Sequence, residues 1–322
     1  VKRLRRALLA GTAAAVATPW LRVARAADAP GTVLEVESGV FMVLGARGQP
    51  TVENEGRIGN TGFIVGRSGV IVIDTGISRA QGEALLAAVA QTTPQPVKLA
   101  LITTAHQEFL FGASALQARG IPVHMQRRAI ELMNSRCEGC LKTLNRELGE
   151  ARMRGTAVFK PDAVIDESTV IETIGRPVFV QHHGHSSGPG DISVFDVRSG
   201  SLFAGSLLAN QRIPDIQDSQ LAGWMQALSG LRTLRLNAVV PGFGPLGGAE
   251  LINSTQRYLL RLQARVTELL QAGTALSEVP DAAALPEYAN WDQYDIIHRR
   301  NASILFLRLE RALLLEQGTA KP

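Results

Sequence analysis

The feature that most constrains the fold is a plan that the chain runs through twice. Residues 33–43 alternate apolar and polar side chains like a half-buried strand, and strand-like runs follow at 63–65 and 70–74. A helical stretch at 79–90, a buried strand at 98–103, a helix at 111–119 and a turn into a short strand over Gly120 to His124 complete the first pass. After a charged, mostly helical insert at 129–153, strands are expected at 163–165, 169–174, 178–182, 192–197 and 201–204. A helix at 221–234, a strand at 238–240 and long amphipathic stretches at 251–270 and 291–316 close the second pass. Two clusters of strands, each accompanied by helices, imply a sheet-on-sheet core with helices outside, in one compact domain over residues 27–322 with helices at its C-terminal end. At 322 residues, 45% of them hydrophobic and 19% charged, the chain has ample material for such a core.

The nominal charge of +4 points toward polyanionic partners only until the charges are located. Six of the 33 basic residues precede Ala27 and none of the 29 acids does, so the remainder holds 27 bases against 29 acids. Nucleic-acid binding is therefore disfavoured. The basic start has another reading. Lys2, Arg3, Arg5 and Arg6 precede an apolar run at 7–16, and Ala24-Arg25-Ala26 offers a small-x-small cleavage site, so residues 1–26 read as an export signal. Arg5-Arg6 with a moderately apolar, Gly/Ala/Thr-rich core resembles a twin-arginine signal, although Leu4 stands where Ser or Thr is commoner. A membrane anchor is the weaker alternative, because Gly11, Thr12, Thr18 and Pro19 interrupt the run. No later segment has the apolar length of a transmembrane helix, and a periplasmic or secreted location follows as the expectation.

Cys137 and Cys140 are the only cysteines. In an oxidising compartment a C-x-x-C pair is expected as a local disulfide before a zinc half-site, since two sulfurs alone close no tetrahedral site. A redox role stays open, without a thioredoxin-like strand-helix-strand context to favour it.

Several motifs, in order, resemble the metallo-β-lactamase superfamily. Gly59-Asn60-Thr61-Gly62-Phe63-Ile64-Val65 and Val70-Ile71-Val72-Ile73-Asp74-Thr75-Gly76 are similar to its opening hairpin and strand-end Asp-x-Gly turn. Thr104-Ala105-His106-Gln107-Glu108-Phe109 stands where the family has H-x-H-x-D-H. Gly184-His185-Ser186-Ser187-Gly188-Pro189-Gly190-Asp191 resembles its G-H-T-x-G-D, Leu202-Phe203-Ala204-Gly205-Ser206 its strand-Gly-Asp, and Pro241-Gly242-Phe243-Gly244 its P-G-H-G. The resemblance implies an α/β fold, a four-layer αββα sandwich, with the site on loops at one edge of the sheets.

The resemblance also implies a degenerate centre. Thr104, Phe109, Ser206 and Phe243 replace ligands, the Asp becomes Glu108, and His106 and His185 persist. A phenylalanine donates nothing to a metal, and a hydrolytic zinc site needs about three ligands plus an open position for water. A dinuclear centre is not expected. His106, Glu108 and His185 could at most hold one zinc or iron ion, and the absence of any catalytic metal is the preferred reading. Asp74 and Asp191 are expected to orient backbone and neighbouring groups. His182 and His183 should face opposite sides of their strand, so at most one looks toward the site; His124 and His298 read as structural.

Cys137, Cys140, Leu148-Gly149, Gly155-Thr156, Trp291, His298 and Asn301 look like a periplasmic branch of this superfamily associated with quinoprotein dehydrogenase and sulfur-oxidation systems. The function implied is an accessory or small-molecule-binding role, its partner a small molecule or a periplasmic pathway protein. The alternatives are a mononuclear metal-dependent hydrolase using His106, Glu108 and His185, and, more weakly, a metal-free hydrolase built on Ser206 or Ser186.

Overall fold

Strand β4 (Val70–Ile73) explains how the layers are held. Its side chains alternate between the two faces of the sheet: Val70 and Val72 pack among helices, while Ile71 and Ile73 point into the gap between sheets, and all four are fully buried. The computed structural model describes residues 29–319, so the expected export signal lies outside the described residues.

One sheet holds seven strands in sequence order: β1 (Val33–Glu37), β2 (Val40–Val43), β3 (Thr61–Val65), β4, β5 (Val97–Ile102), β6 (Val123–Gln126) and β7 (Ala163–Ile165). It is antiparallel from β1 to β4 and parallel from β4 to β7. The other sheet contains β8 (Thr169–Ile171), β9 (Val178–His182), β10 (Ile192–Asp196), β11 (Ser201–Phe203) and β12 (Ala238–Val240), with β12 parallel to β11 and the rest antiparallel. Met42, Ile64, Leu101, Val180, Val194 and Phe203 meet between the sheets.

Helices α1 (Arg79–Thr92), α2 (Gln107–Leu110), α3 (Ala113–Gln117), α4 (Arg127–Leu148) and α5 (Glu150–Met153) lie on the first sheet. Those on the second are α6 (Leu221–Leu231), α7 (Glu250–Gln271), α8 (Val279–Ala282) and α9 (Arg299–Thr319), packed around Trp224, Tyr258 and Leu262. The order is helix, sheet, sheet, helix, the four-layer arrangement expected. Among the described residues, no helix is long and apolar enough to cross a membrane.

Three boundaries differ from expectation. Residues 33–43 form a hairpin rather than one strand, turning at Ser38-Gly39, where Gly39 has φ 75°. The helix expected at 111–119 is shorter, α3 at 113–117, and a separate one-turn helix, α2 at 107–110, precedes it, with Gly112 between them packed against the Thr75 carbonyl. The last helix begins at Arg299, after a wide turn at Tyr294–His298 that follows Gln293 in the left-handed region, φ 67°.

A buried ion pair ties the sheets together. Arg176 bonds both oxygens of Asp196 on β10 at 2.6 Å and donates to the carbonyls of Val65 on β3 and Ser38 at 3.0 Å. Burial pushes the Asp196 carboxyl up, but the bonds from Arg176 and Ser199 outweigh it and hold it below the usual carboxylate range.

Candidate functional site

The segments carrying the motifs converge at one edge of the two sheets. The chain leaves β5 through Thr103 to His106 and enters α2, and Asp74 fixes this exit: its Oδ1 accepts from Thr103 N at 2.8 Å and its Oδ2 from Thr103 Oγ1 at 2.8 Å. Asp74 is 3% exposed, and burial pushes its carboxyl up to about 7 against the pull of those bonds. The next residue anchors α2, since Thr75 donates its N–H and its hydroxyl to the Phe109 carbonyl.

The Asp191 carboxylate organises the loop after β9. Its Oδ2 accepts from Ser186 Oγ at 2.8 Å, Ser187 Oγ at 2.5 Å and Gly188 N at 2.7 Å. Ser187 Oγ lies 2.8 Å from Ser206 Oγ. Because the Ser187 proton is committed to Asp191, the Ser206 hydroxyl donates to Ser187. Ser186 is fully buried, and neither it nor Ser206 is hydrogen-bonded to a histidine. The serine hydrolase reading therefore lacks its general base.

Phe109 and Phe243 pack against each other, ring centroids 5.1 Å apart and planes at 60°. Phe109 is fully buried, its ring between two glycines: a Cβ on Gly59 would stand 2.9 Å from Phe109 Cε1, and one on Gly242 would stand 3.1 Å from its Cζ. Only glycine leaves room for the ring on those two sides. The Arg212 guanidinium sits 4.6 Å above the Phe243 ring and is itself held by Asp292 at 2.5 Å.

His106 and His185 do not converge with Glu108. His185 Nε2 lies 2.6 Å from the Asp218 carbonyl, while the His106 ring leans toward Phe109 at 6.4 Å. Among the described residues, no three His, Cys, Asp or Glu side chains gather where they could hold a metal ion. The residues present thus do not fit a family-type zinc site, which needs about three donors at roughly 2.0 to 2.2 Å. His183 turns to Ser193 Oγ at 2.8 Å, and burial pushes its imidazole down to about 4, so it is neutral near pH 7. His298 contacts Tyr258 and the Ala283 carbonyl, a buried structural role.

What the edge does contain is a cleft of about 260 Å³. His106, Glu108, Ser206 and Phe243 line it together with Arg136, Cys140, Arg212, Asp215, Asp218 and Arg300. Its arginines are paired: Arg136 grips Asp218 at 2.9 and 2.5 Å, Arg300 bonds Asp215, and Arg212 bonds Asp292. Burial pushes the Asp218 carboxyl up, but the bonds and charge of Arg136 outweigh it and hold it below the usual range. Sequence reasoning missed these pairs, because Arg136 and Asp218 are 82 residues apart and a lone arginine on a charged helix reads as a solvated face. Cys137 and Cys140 are free thiols on α4, the first buried and the second at the cleft.

Two stacked sheets, helices on both outer faces and a loop-built cleft at the sheet edge define a four-layer αββα sandwich. Residues 54–242, more than half the chain, match the family described as the metallo-beta-lactamase superfamily, and the chain belongs to that superfamily. It is 24% identical over 212 residues to the metallo-beta-lactamase type 2 of Bacteroides fragilis, a match covering 64% of this chain and 77% of that protein. Among solved structures, the metallo-beta-lactamase from Pontibacter korlensis is similar with a TM-score of 0.59 and 22% identity, covering 71% of this chain and 98% of that one. The FIM-1 enzyme of Pseudomonas aeruginosa in its mono-zinc form is similar with a TM-score of 0.55 and 20% identity, covering 73% and 97%. At such identities the solved structures show the shared fold.

Proposed function

We propose that this protein is a non-hydrolytic member of the superfamily, exported by a twin-arginine-type signal, that binds a small molecule in its cleft as an accessory to a periplasmic oxidation pathway. The observation that carries the reading is the Phe109–Phe243 contact: two aromatic rings 5.1 Å apart stand at two positions where the family's motif has histidine. An aromatic pair offers an ion neither charge nor lone pairs, and it removes the volume a hydrated cation needs. The volume of about 260 Å³ matches a small ligand rather than a polymer.

The alternative, a mononuclear hydrolase, requires His185 to release the Asp218 carbonyl and move toward His106 and Glu108. Hydrolysis of a chromogenic cephalosporin and of a thioester, each with and without added zinc, separates the two. The binding reading expects no zinc-stimulated turnover. Turnover that appears with zinc and disappears in His106→Ala establishes the hydrolase instead.

A further inference from the structure

We propose that Cys137 and Cys140 form a dithiol redox site that opens into the cleft through Cys140 and exchanges with a small disulfide bound there. The inference rests on the reading of the cleft as a small-molecule site and names the ligand's chemical class.

The geometry separates an attacking sulfur from a resolving one. Three residues apart inside α4, the two side chains leave the same helix face on neighbouring turns. Cys140 is half-buried and lines the cleft, whereas Cys137 is 2% exposed and packs into the core beneath the helix. The neighbouring Cys140 sulfur first and burial next push the Cys137 thiol up, so it retains its own proton. Beside them stands the Arg136 guanidinium, fixed by its two bonds to Asp218. The Cys137 bond first and the Arg136 charge next favour the thiolate at Cys140, against burial and Glu108, and bring that thiol to about 7.

Gly139 is the independent observation. It lies in the interior of a 22-residue helix, where glycine is less favourable than alanine, yet a Cβ there would meet nothing within 4 Å. Packing does not require it. Closing a disulfide does require backbone freedom, because Cβ atoms three residues apart on a helix are about 5 to 6 Å apart and a disulfide holds them at about 3.8 Å. Glycine between the two cysteines lets the turn yield. A bridge closed this way holds strain and stays easily reducible, and it encloses too short a loop to add much as a structural staple.

In the forward direction the Cys140 thiolate attacks one sulfur of R–S–S–R′. The Cys140–sulfur bond forms as the substrate's S–S bond breaks, and R′S⁻ leaves. Cys137 passes its proton to the departing thiolate and attacks the Cys140 sulfur; the Cys137–Cys140 bond forms and RS⁻ leaves. The small disulfide gains two electrons, the dithiol loses the same two, and the reverse reaction follows the same steps.

The test uses the full mature chain, reduced, with cystine as the probe and intact-mass and peptide mapping as the readout. Metal content is measured on the same sample. The wild type is expected to end as the intramolecular disulfide with no cysteine attached. Cys137→Ala and Cys137→Ser are expected to stop with one cysteine on Cys140, and Cys140→Ser to react about tenfold more slowly or worse. Gly139→Ala should still load Cys140 while closing to the disulfide more slowly. Equal reaction rates in the Cys137 and Cys140 variants, or a wild type that stays reduced in excess cystine, overturn the dithiol site and leave the small-molecule reading standing. Normal exchange in a sample that retains zinc through His106 and His185 overturns the metal-free reading and leaves the dithiol standing.

Discussion

His185 Nε2 lies 2.6 Å from the main-chain oxygen of Asp218. A carbonyl oxygen only accepts, so Nε2 carries the proton and presents no lone pair to an ion. The loop bearing Asp218 is itself held: Arg136 grips the carboxylate, Arg308 donates to the carbonyls of Ile216, Gln217 and Ser219, and Asn301 bonds Pro214 and Ile216. The one family histidine kept in the G-H-T-x-G-D-like motif is thereby a fastener between two loops. Long-range proton–nitrogen NMR should find His185 in the Nε2–H tautomer; a dominant Nδ1–H form contradicts the arrangement.

Phe109 should behave as a core residue despite standing at a ligand position. Phe109→Ala removes a fully buried ring wedged between Gly59, Gly242 and Phe243, and the cost expected from urea unfolding is about 3 to 5 kcal/mol. A loss below about 1 kcal/mol would mean that the ring is not packed as described.

Asp74 makes stability depend on pH in an unusual direction. Its folded carboxyl is raised to about 7 from an ordinary 3.8, so between these values the folded state binds the extra proton and stability falls as pH rises. Above about pH 7 the effect is complete. The Asp74→Asn variant lacks it, so its stability relative to the wild type should improve by up to about 4 kcal/mol between pH 4 and pH 8. Parallel unfolding curves at both pH values that show no such gain refute the assignment.

Arg176 and Asp196 carry the opposite sign. The Asp196 carboxyl is held below its ordinary value, so the pair's contribution is present above that value and is lost as pH falls through the folded one. Arg176→Ala leaves a buried carboxylate without its partner and removes the bonds to Val65 and Ser38, for an expected loss of about 3 to 5 kcal/mol at pH 7. The deficit should shrink in acid, where protonation relieves the stranded charge. A deficit that grows on acidification speaks against the pair.

The layers were legible because continuous apolar runs such as that of β4 mark strands buried on both faces, and because the motif order tracks the strand ends. Single-residue turns were not. Gly39 breaks a pattern that reads as one strand, and Gln293 delays α9 by several residues, in both cases through a left-handed backbone that periodicity does not register. In the cleft, the substituted positions 109 and 243 could be read from sequence, but their packing against each other could not. The fate of His185 depended on a main-chain carbonyl 33 residues away, which no side-chain pattern records. The helical insert that holds Cys137 and Cys140 was legible; that Cys140 abuts the cleft came only from the fold.

Whether this cleft is a metal centre is read most directly from the metal content of the mature protein, purified without a metal-affinity tag, alongside His106→Ala and His185→Ala. A metal-free cleft predicts zinc and iron far below one equivalent in all three proteins. About one equivalent in the wild type that is lost in both variants would contradict it and restore the mononuclear site.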